Sequence, residues 1–214
     1  IRIFREGKEM KVILVNGSPH EHGCTYTALR EAEKALNADG IDTEIFWLGK
    51  KPVSGCIACG ACRKLGKCFM EDAVNEFTAL AKEADGFIFG SPVHYASAGG
   101  AITSFMDRAF YSGGAALRYK PAAAVASCRR AGGTATLDML NKYFTISCMP
   151  VVSSSYWNEI HGNTAEEASK DAEGLQTMRT LGHNMAWLLK CIEAGRGAGI
   201  EPTKEKKVYT NFIR

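Results

Sequence analysis

Cys56, Cys59, Cys62 and Cys68 follow one another with C-x2-C-x2-C-x5-C spacing. Four thiolates in one loop can ligate a cubane [4Fe-4S] cluster, because such clusters are held by cysteine sulfur. Gly60 and Gly66 give the backbone the freedom to wrap it. Two other readings stay open. Structural zinc takes thiolates too, usually from two separated C-x2-C-type pairs, and the same residues could be reduced thiols in a loop that covers a substrate. The remaining cysteines, Cys24, Cys128, Cys148 and Cys191, read as core or loop thiols. Eight cysteines and no apolar leader ending in a cleavage site imply a reducing compartment, so a cytoplasmic location is expected.

A second group of chemistry-bearing residues follows an apolar run. Val12, Ile13, Leu14 and Val15 are succeeded by Asn16, Gly17, Ser18 and Pro19, and helical spacing starts near Thr25 with Ala28, Leu29, Ala32, Ala35 and Leu36 on one face. A strand, a loop of small polar residues and a helix start aim backbone N–H groups at one point, which is an anion site. Ser18 and Thr25 add hydroxyl donors. The G-x-G-x-x-G pattern is absent, and Cys24 stands where a Walker A loop needs lysine. Cys24 and Arg30 have C-x5-R spacing, but Arg30 falls inside the expected helix and cannot curl around the loop. An ordinary strand-to-helix turn without a ligand is the plainer alternative.

These loops need elements to position them. Further strands are expected at residues 43–48, 86–90, 121–127 and 149–153, and helices follow through Val74 and Phe77, Ile102 and Phe105, Leu137 and Leu140, and Leu175 to Ile192. Asp72 is an N-cap candidate, Gly40 a C′ glycine, and Thr164 with Glu167 has capping-box spacing. Alternating buried strands and helices imply a parallel sheet covered on both faces, with ligands beyond the carboxyl ends of the strands. Residues 91–100 and 128–133 form two more loops on that edge. Residues 49–72 are a cysteine-rich insertion, longer than a compact domain needs. Residues 10–214 are expected to form one domain, with 1–9 as a non-core extension.

The chain has 214 residues, 46% of them hydrophobic, which suffices for a full core. A net charge of +3 without a Lys/Arg run gives no case for nucleic acid, and no apolar stretch reaches membrane-spanning length.

Asn16-Gly17-Ser18-Pro19, Gly23-Cys24-Thr25, Gly90-Ser91-Pro92-Val93-His94-Tyr95, Phe105-Met106-Asp107-Arg108, Arg130-Ala131-Gly132-Gly133 and the terminal Thr210-Asn211-Phe212-Ile213-Arg214 together resemble the flavodoxin-like NAD(P)H-dependent FMN reductases. The likeness covers nearly the whole chain from Met10. It implies a doubly wound, five-stranded parallel sheet in order 2-1-3-4-5. It implies FMN, with Ser18, His20, Cys24 and Thr25 at the phosphate, Pro92, Val93, His94 and Tyr95 along the flavin ring, and Arg129, Arg130, Gly132 and Gly133 at its polar edge. Many relatives carry Arg at the position of His20 and Asn at that of Cys24, so this phosphate site has less fixed positive charge. The cysteine spacing resembles the compact motif of the iron–sulfur flavoproteins, which share this core.

The resemblance implies an enzyme that passes electrons from NAD(P)H through FMN to a small acceptor such as a quinone, free flavin, nitro or azo compound. Such a flavin-centred hydride transfer needs no protein acid or base. The alternatives are an iron–sulfur flavoprotein or flavodoxin-type electron carrier using FMN plus a [4Fe-4S] cluster, and a nucleotide-binding module without turnover. Flavodoxins are typically strongly acidic, unlike this chain. A homodimer or homotetramer is expected from the family and from Tyr156, Trp157, Trp187, Tyr209 and Phe212 in the C-terminal half.

Overall fold

The computed structural model describes residues 9–210 and 212. Residues 1–8 of the expected extension, and Asn211, Ile213 and Arg214 of the terminal motif, lie outside them. The elements run β1 (Lys11–Asn16), α1 (Cys24–Ala38), β2 (Asp42–Trp47), α2 (Cys62–Leu65), α3 (Ala73–Leu80), β3 (Gly86–His94), β4 (Ser97–Ala98), α4 (Gly100–Leu117), β5 (Ala122–Cys128), α5 (Gly133–Ile146), β6 (Glu159–His161), α6 (Ala165–Ala168) and α7 (Ala172–Gly197).

The main sheet is parallel in the order β2-β1-β3-β5-β6, and β4 pairs antiparallel with the end of β3. With the β4 hairpin set aside, this is the expected 2-1-3-4-5 order. Alternation of side chains across each strand builds two cores. Ile13, Val15, Phe87 and Phe89 face α3, α4 and α5. There Phe77 meets Phe46, Phe87, Phe89 and Phe105 with ring centroids 5.1–5.9 Å apart. Val12, Leu14, Ile88 and Val125 face α1 and α7. The small residues Ala122, Ala124 and Ala126 of β5 share the aromatic core, where Phe144 approaches Phe89 at 5.4 Å.

Local signals set the ends. Gly40 adopts φ +78° after α1, as the C′ position requires. Asp72 accepts the Val74 N–H at the start of α3. Thr164 Oγ1 accepts from Glu167 N–H, while the Glu167 carboxylate accepts from Asn163 N–H.

Two expectations are corrected. The strand placed at residues 149–153 makes only a bridge between Val151 and Ala122, and the ladder with β5 is formed by Glu159–His161. Pro150 has no N–H to give the ladder, and the chain leaves the sheet after Val152 before returning. Residues 91–100 are not all loop: β3 continues to His94, and a two-residue turn at Tyr95 (φ +50°) and Ala96 (φ +60°) leads into β4. Positive φ at both central residues is the hairpin geometry that suits the strand twist. Ser91 Oγ closes this hairpin, accepting the Gly99 N–H at 3.0 Å and donating to Pro92 O at 2.8 Å.

Candidate functional site

Asn16, buried at the end of β1, organises the first loop. Its Oδ1 accepts the Ser18 N–H at 3.1 Å and its Nδ2 donates to Glu21 O at 3.0 Å. Gly17 N donates to Gly90 O at 2.9 Å, and a Cβ at Gly17 would stand 2.6 Å from Ile102 Cβ. The loop is therefore pressed against both β3 and α4 by contacts only glycine permits. Trp47 Nε1 donates to Ser18 O at 2.8 Å, tying the loop to β2. It ends at Gly23, the N-cap of α1, which offers no side-chain cap. The first N–H groups of α1 thus point to the sheet edge without an intrahelical acceptor.

Those groups face a cavity of about 660 Å³ beyond the carboxyl ends of β1, β3 and β5. Ser18, His20, Cys24, Thr25, Pro92, Val93, His94 and Arg129 all line it. Thr25 Oγ1 and Ser127 Oγ lie 2.7 Å apart and are buried. The lining holds Lys50 and Arg129 against Glu21 and Glu166, so its formal charges cancel. Attraction for an anion then rests on the N–H groups and the α1 dipole rather than on net charge. Burial pushes the Cys24 and Cys128 thiols up, and for Cys128 the Glu159 carboxylate adds to the effect. Both are neutral S–H groups near pH 7, and Cys24 Sγ reaches Gly162 O at 3.5 Å.

Four expected residues lie outside that lining. Tyr95 stands at the hairpin tip with its side chain fully exposed. Arg130 is exposed. Gly132, at φ +92°, is packed under the hairpin, where a Cβ would come 2.6 Å from Ala96 Cα, and a side chain at Gly133 would run into the Glu159 carboxylate. Glu21, His22, Gly23, Lys50, Ser127, Cys128 and the segment from Gly162 to Glu166 complete the wall, none of them among the expected site residues. The capping box at Thr164 was the available signal, but placing the last strand too early separated it from the sheet edge. Arg30 lies within α1, paired with Glu33, so the C-x5-R spacing wraps no loop.

The second cavity, about 210 Å³, is lined by Cys56, Cys59, Cys62 and Cys68 together. No lining residue is a carboxylate or a histidine, so the thiols are its strongest metal donors, beside the hydroxyls of Tyr111 and Ser112. Ala58, Gly60 and Gly66 take positive φ and turn the chain back on itself. Cys68 is buried and held on both sides of its peptide, its N–H given to Asn75 Oδ1 and its carbonyl accepting from Asn75 Nδ2. Cys56 and Cys59 are exposed.

The sequence profile of the NADPH-dependent FMN reductases matches residues 10–164, most of the chain. The chain belongs to the NADPH-dependent FMN reductase family. The chain is similar to an iron–sulfur flavoprotein of Methanocaldococcus jannaschii, 36% identical over 192 residues that cover 86% of this chain and 100% of the relative. It is also similar to an iron–sulfur flavoprotein of Methanosarcina thermophila, 28% identical, with 87% and 99% covered. A solved archaeal flavodoxin superposes with a TM-score of 0.59 at 16% identity, over 85% of this chain and 99% of that one, which shows the flavodoxin-like fold of this FMN reductase family member. The first cavity offers uncapped N–H groups and hydroxyls, a donor set that fits the phosphate of FMN, and the second offers four thiols, a donor set that fits an iron–sulfur cluster such as the names of those two relatives imply for them.

Proposed function

We propose that the chain is an oxidoreductase that takes electrons from NAD(P)H through FMN bound in the larger cavity and delivers them to a small acceptor, a quinone, flavin, nitro or azo compound. FMN supplies the hydride and electron chemistry. The protein's share is binding, orientation and exclusion of water. Ser18, Thr25 and the first N–H groups of α1 hold the phosphate, with His20 and Cys24 beside it. Pro92, Val93 and His94 flank the ring, Arg129 faces its polar edge, and Tyr95, Arg130, Gly132 and Gly133 belong to the two loops that frame it. The carrying observation is the cavity where the uncapped start of α1 meets the ends of β3 and β5. The test is titration with NADPH and NADH in the absence of oxygen. Bleaching of the flavin bands by either, with turnover on adding a quinone, is the expected result. Flavin that neither nucleotide reduces would reject NAD(P)H as donor.

A second reading has its own observation. All four cysteines line one cavity, and relatives at up to 36% identity are named iron–sulfur flavoproteins. On this reading Cys56, Cys59, Cys62 and Cys68 hold a [4Fe-4S] cluster, and the chain is an electron carrier between the cluster, FMN and an external partner. Iron in protein purified without oxygen, absent from a Cys59→Ser variant, separates it from the first. In either case we place the protein in the cytoplasm as a homodimer or homotetramer, without nucleic acid or membrane as partner.

A further inference from the structure

Arg108 of α4 is 1% exposed, the largest fully buried side chain among the described residues. Burying a guanidinium is costly unless every N–H finds an acceptor. Here Nε donates to Cys68 Sγ at 3.4 Å and Nη2 to the same sulfur at 3.3 Å. Nη1 donates to Asp72 Oδ2 at 2.5 Å and to Ser54 O at 3.4 Å, and Nη2 also reaches Asp72 Oδ1 at 2.9 Å and Met70 O at 3.1 Å. One edge of the planar fork is thus committed to a carboxylate and the other to a single thiol sulfur. A structural Arg–Asp pair needs only the first edge.

We propose that Arg108 is a positioning residue that sets the reduction potential of the cluster held by the cysteine loop, acting through Cys68; this rests on the iron–sulfur reading above. One-electron reduction makes the cluster more negative. N–H groups and a cation aimed at a ligand sulfur stabilise that form and raise the potential. Asp72 sets how much of the cation's charge reaches the sulfur, because its carboxylate offsets it. Of the four ligands, Cys68 is the one so engaged among the described contacts, and it lies deepest. It is therefore the anchor from which the exposed part of the loop wraps.

The test uses two variants with opposite expected signs. Arg108→Lys keeps a cation but loses the fork. Asp72→Asn keeps a good N-cap for α3 and removes the offsetting charge. Iron content is measured first on anaerobic wild-type protein, then cluster midpoint potentials in a redox titration read by absorption and EPR. Arg108→Lys is expected to disfavour cluster reduction about tenfold, which for a one-electron couple is about 59 mV, and Asp72→Asn to shift the potential upward. Iron-free wild-type protein would overturn the cluster reading, and this inference with it. Iron-loaded variants with wild-type potentials, or both shifted the same way, would overturn the role of Arg108 alone. If Arg108→Lys does not fold, the upward shift in Asp72→Asn decides, and its absence overturns the proposal.

Discussion

The Thr25 and Ser127 hydroxyls, 2.7 Å apart, satisfy one another and leave the pair one O–H proton to donate elsewhere. Both residues are buried at the cavity wall, so that proton has little other than a ligand to meet. Thr25→Val keeps the shape and deletes one hydroxyl. FMN affinity measured by calorimetry is expected to fall by about 1–3 kcal/mol, as for a lost bond to a charged group, and unchanged affinity would remove Thr25 from the phosphate site. Cys24 and Cys128 give a pH-dependent contrast at the same scale. Raised pKa values mean less thiolate at any given pH. Iodoacetamide labelling read by mass spectrometry should therefore leave both behind the exposed Cys191 at neutral pH and catch up only above the ordinary thiol range, about pH 8.5. Equal rates at neutral pH would contradict their burial. Residue types announced the four loop cysteines from the sequence. Arg108 was visible only as part of a family-like motif, and its contacts were not legible, because its acceptors on Cys68 and Asp72 lie 40 and 36 positions away and a burial made by non-local partners leaves no local pattern.

At the scale of elements, periodicity placed the first four parallel strands and the long helices, because each is a buried run with turn residues at its ends. It failed where the strand is short and polar: Glu159–His161 has no apolar signature, whereas the apolar residues 149–153 supply only a bridge. The close packing of α1 on α7 offers a sharper test. Gly182 lets α7 approach so near that an added Cβ would stand 2.5 Å from Ala32 O and 2.7 Å from Ala35 Cβ. Gly→Ala inside a helix ordinarily gains up to about 1 kcal/mol. Here the obstacle is backbone, which cannot swing aside, so Gly182→Ala is expected to cost about 1–3 kcal/mol in urea unfolding with an unchanged m-value. A stabilised variant would show that the two helices can separate freely.

At the scale of the whole molecule, the exposed aromatics decide between two roles. Trp187, Tyr156, Trp157, Tyr209 and Phe212 are all more than half exposed, so they do not complete the core. Aromatic residues left on a surface are typical of interfaces. Light scattering is expected to report a homodimer or larger, with Trp187→Glu shifting the mass downward, and a wild-type monomer at working concentration would end the oligomer proposal. No helix among the described residues is long and apolar enough to cross a membrane. Both readings have FMN at the sheet edge, and the second adds a cluster within the cysteine loop. The most direct measurement is the absorption spectrum of wild-type and Cys59→Ser protein purified without oxygen, read beside FMN and iron analysis. FMN at the sheet edge predicts flavin bands in both proteins, and the cluster reading adds a broad shoulder and bound iron in the wild type alone. Spectra without flavin in either protein would contradict the FMN assignment, and identical flavin spectra with near-zero iron in both would contradict the cluster.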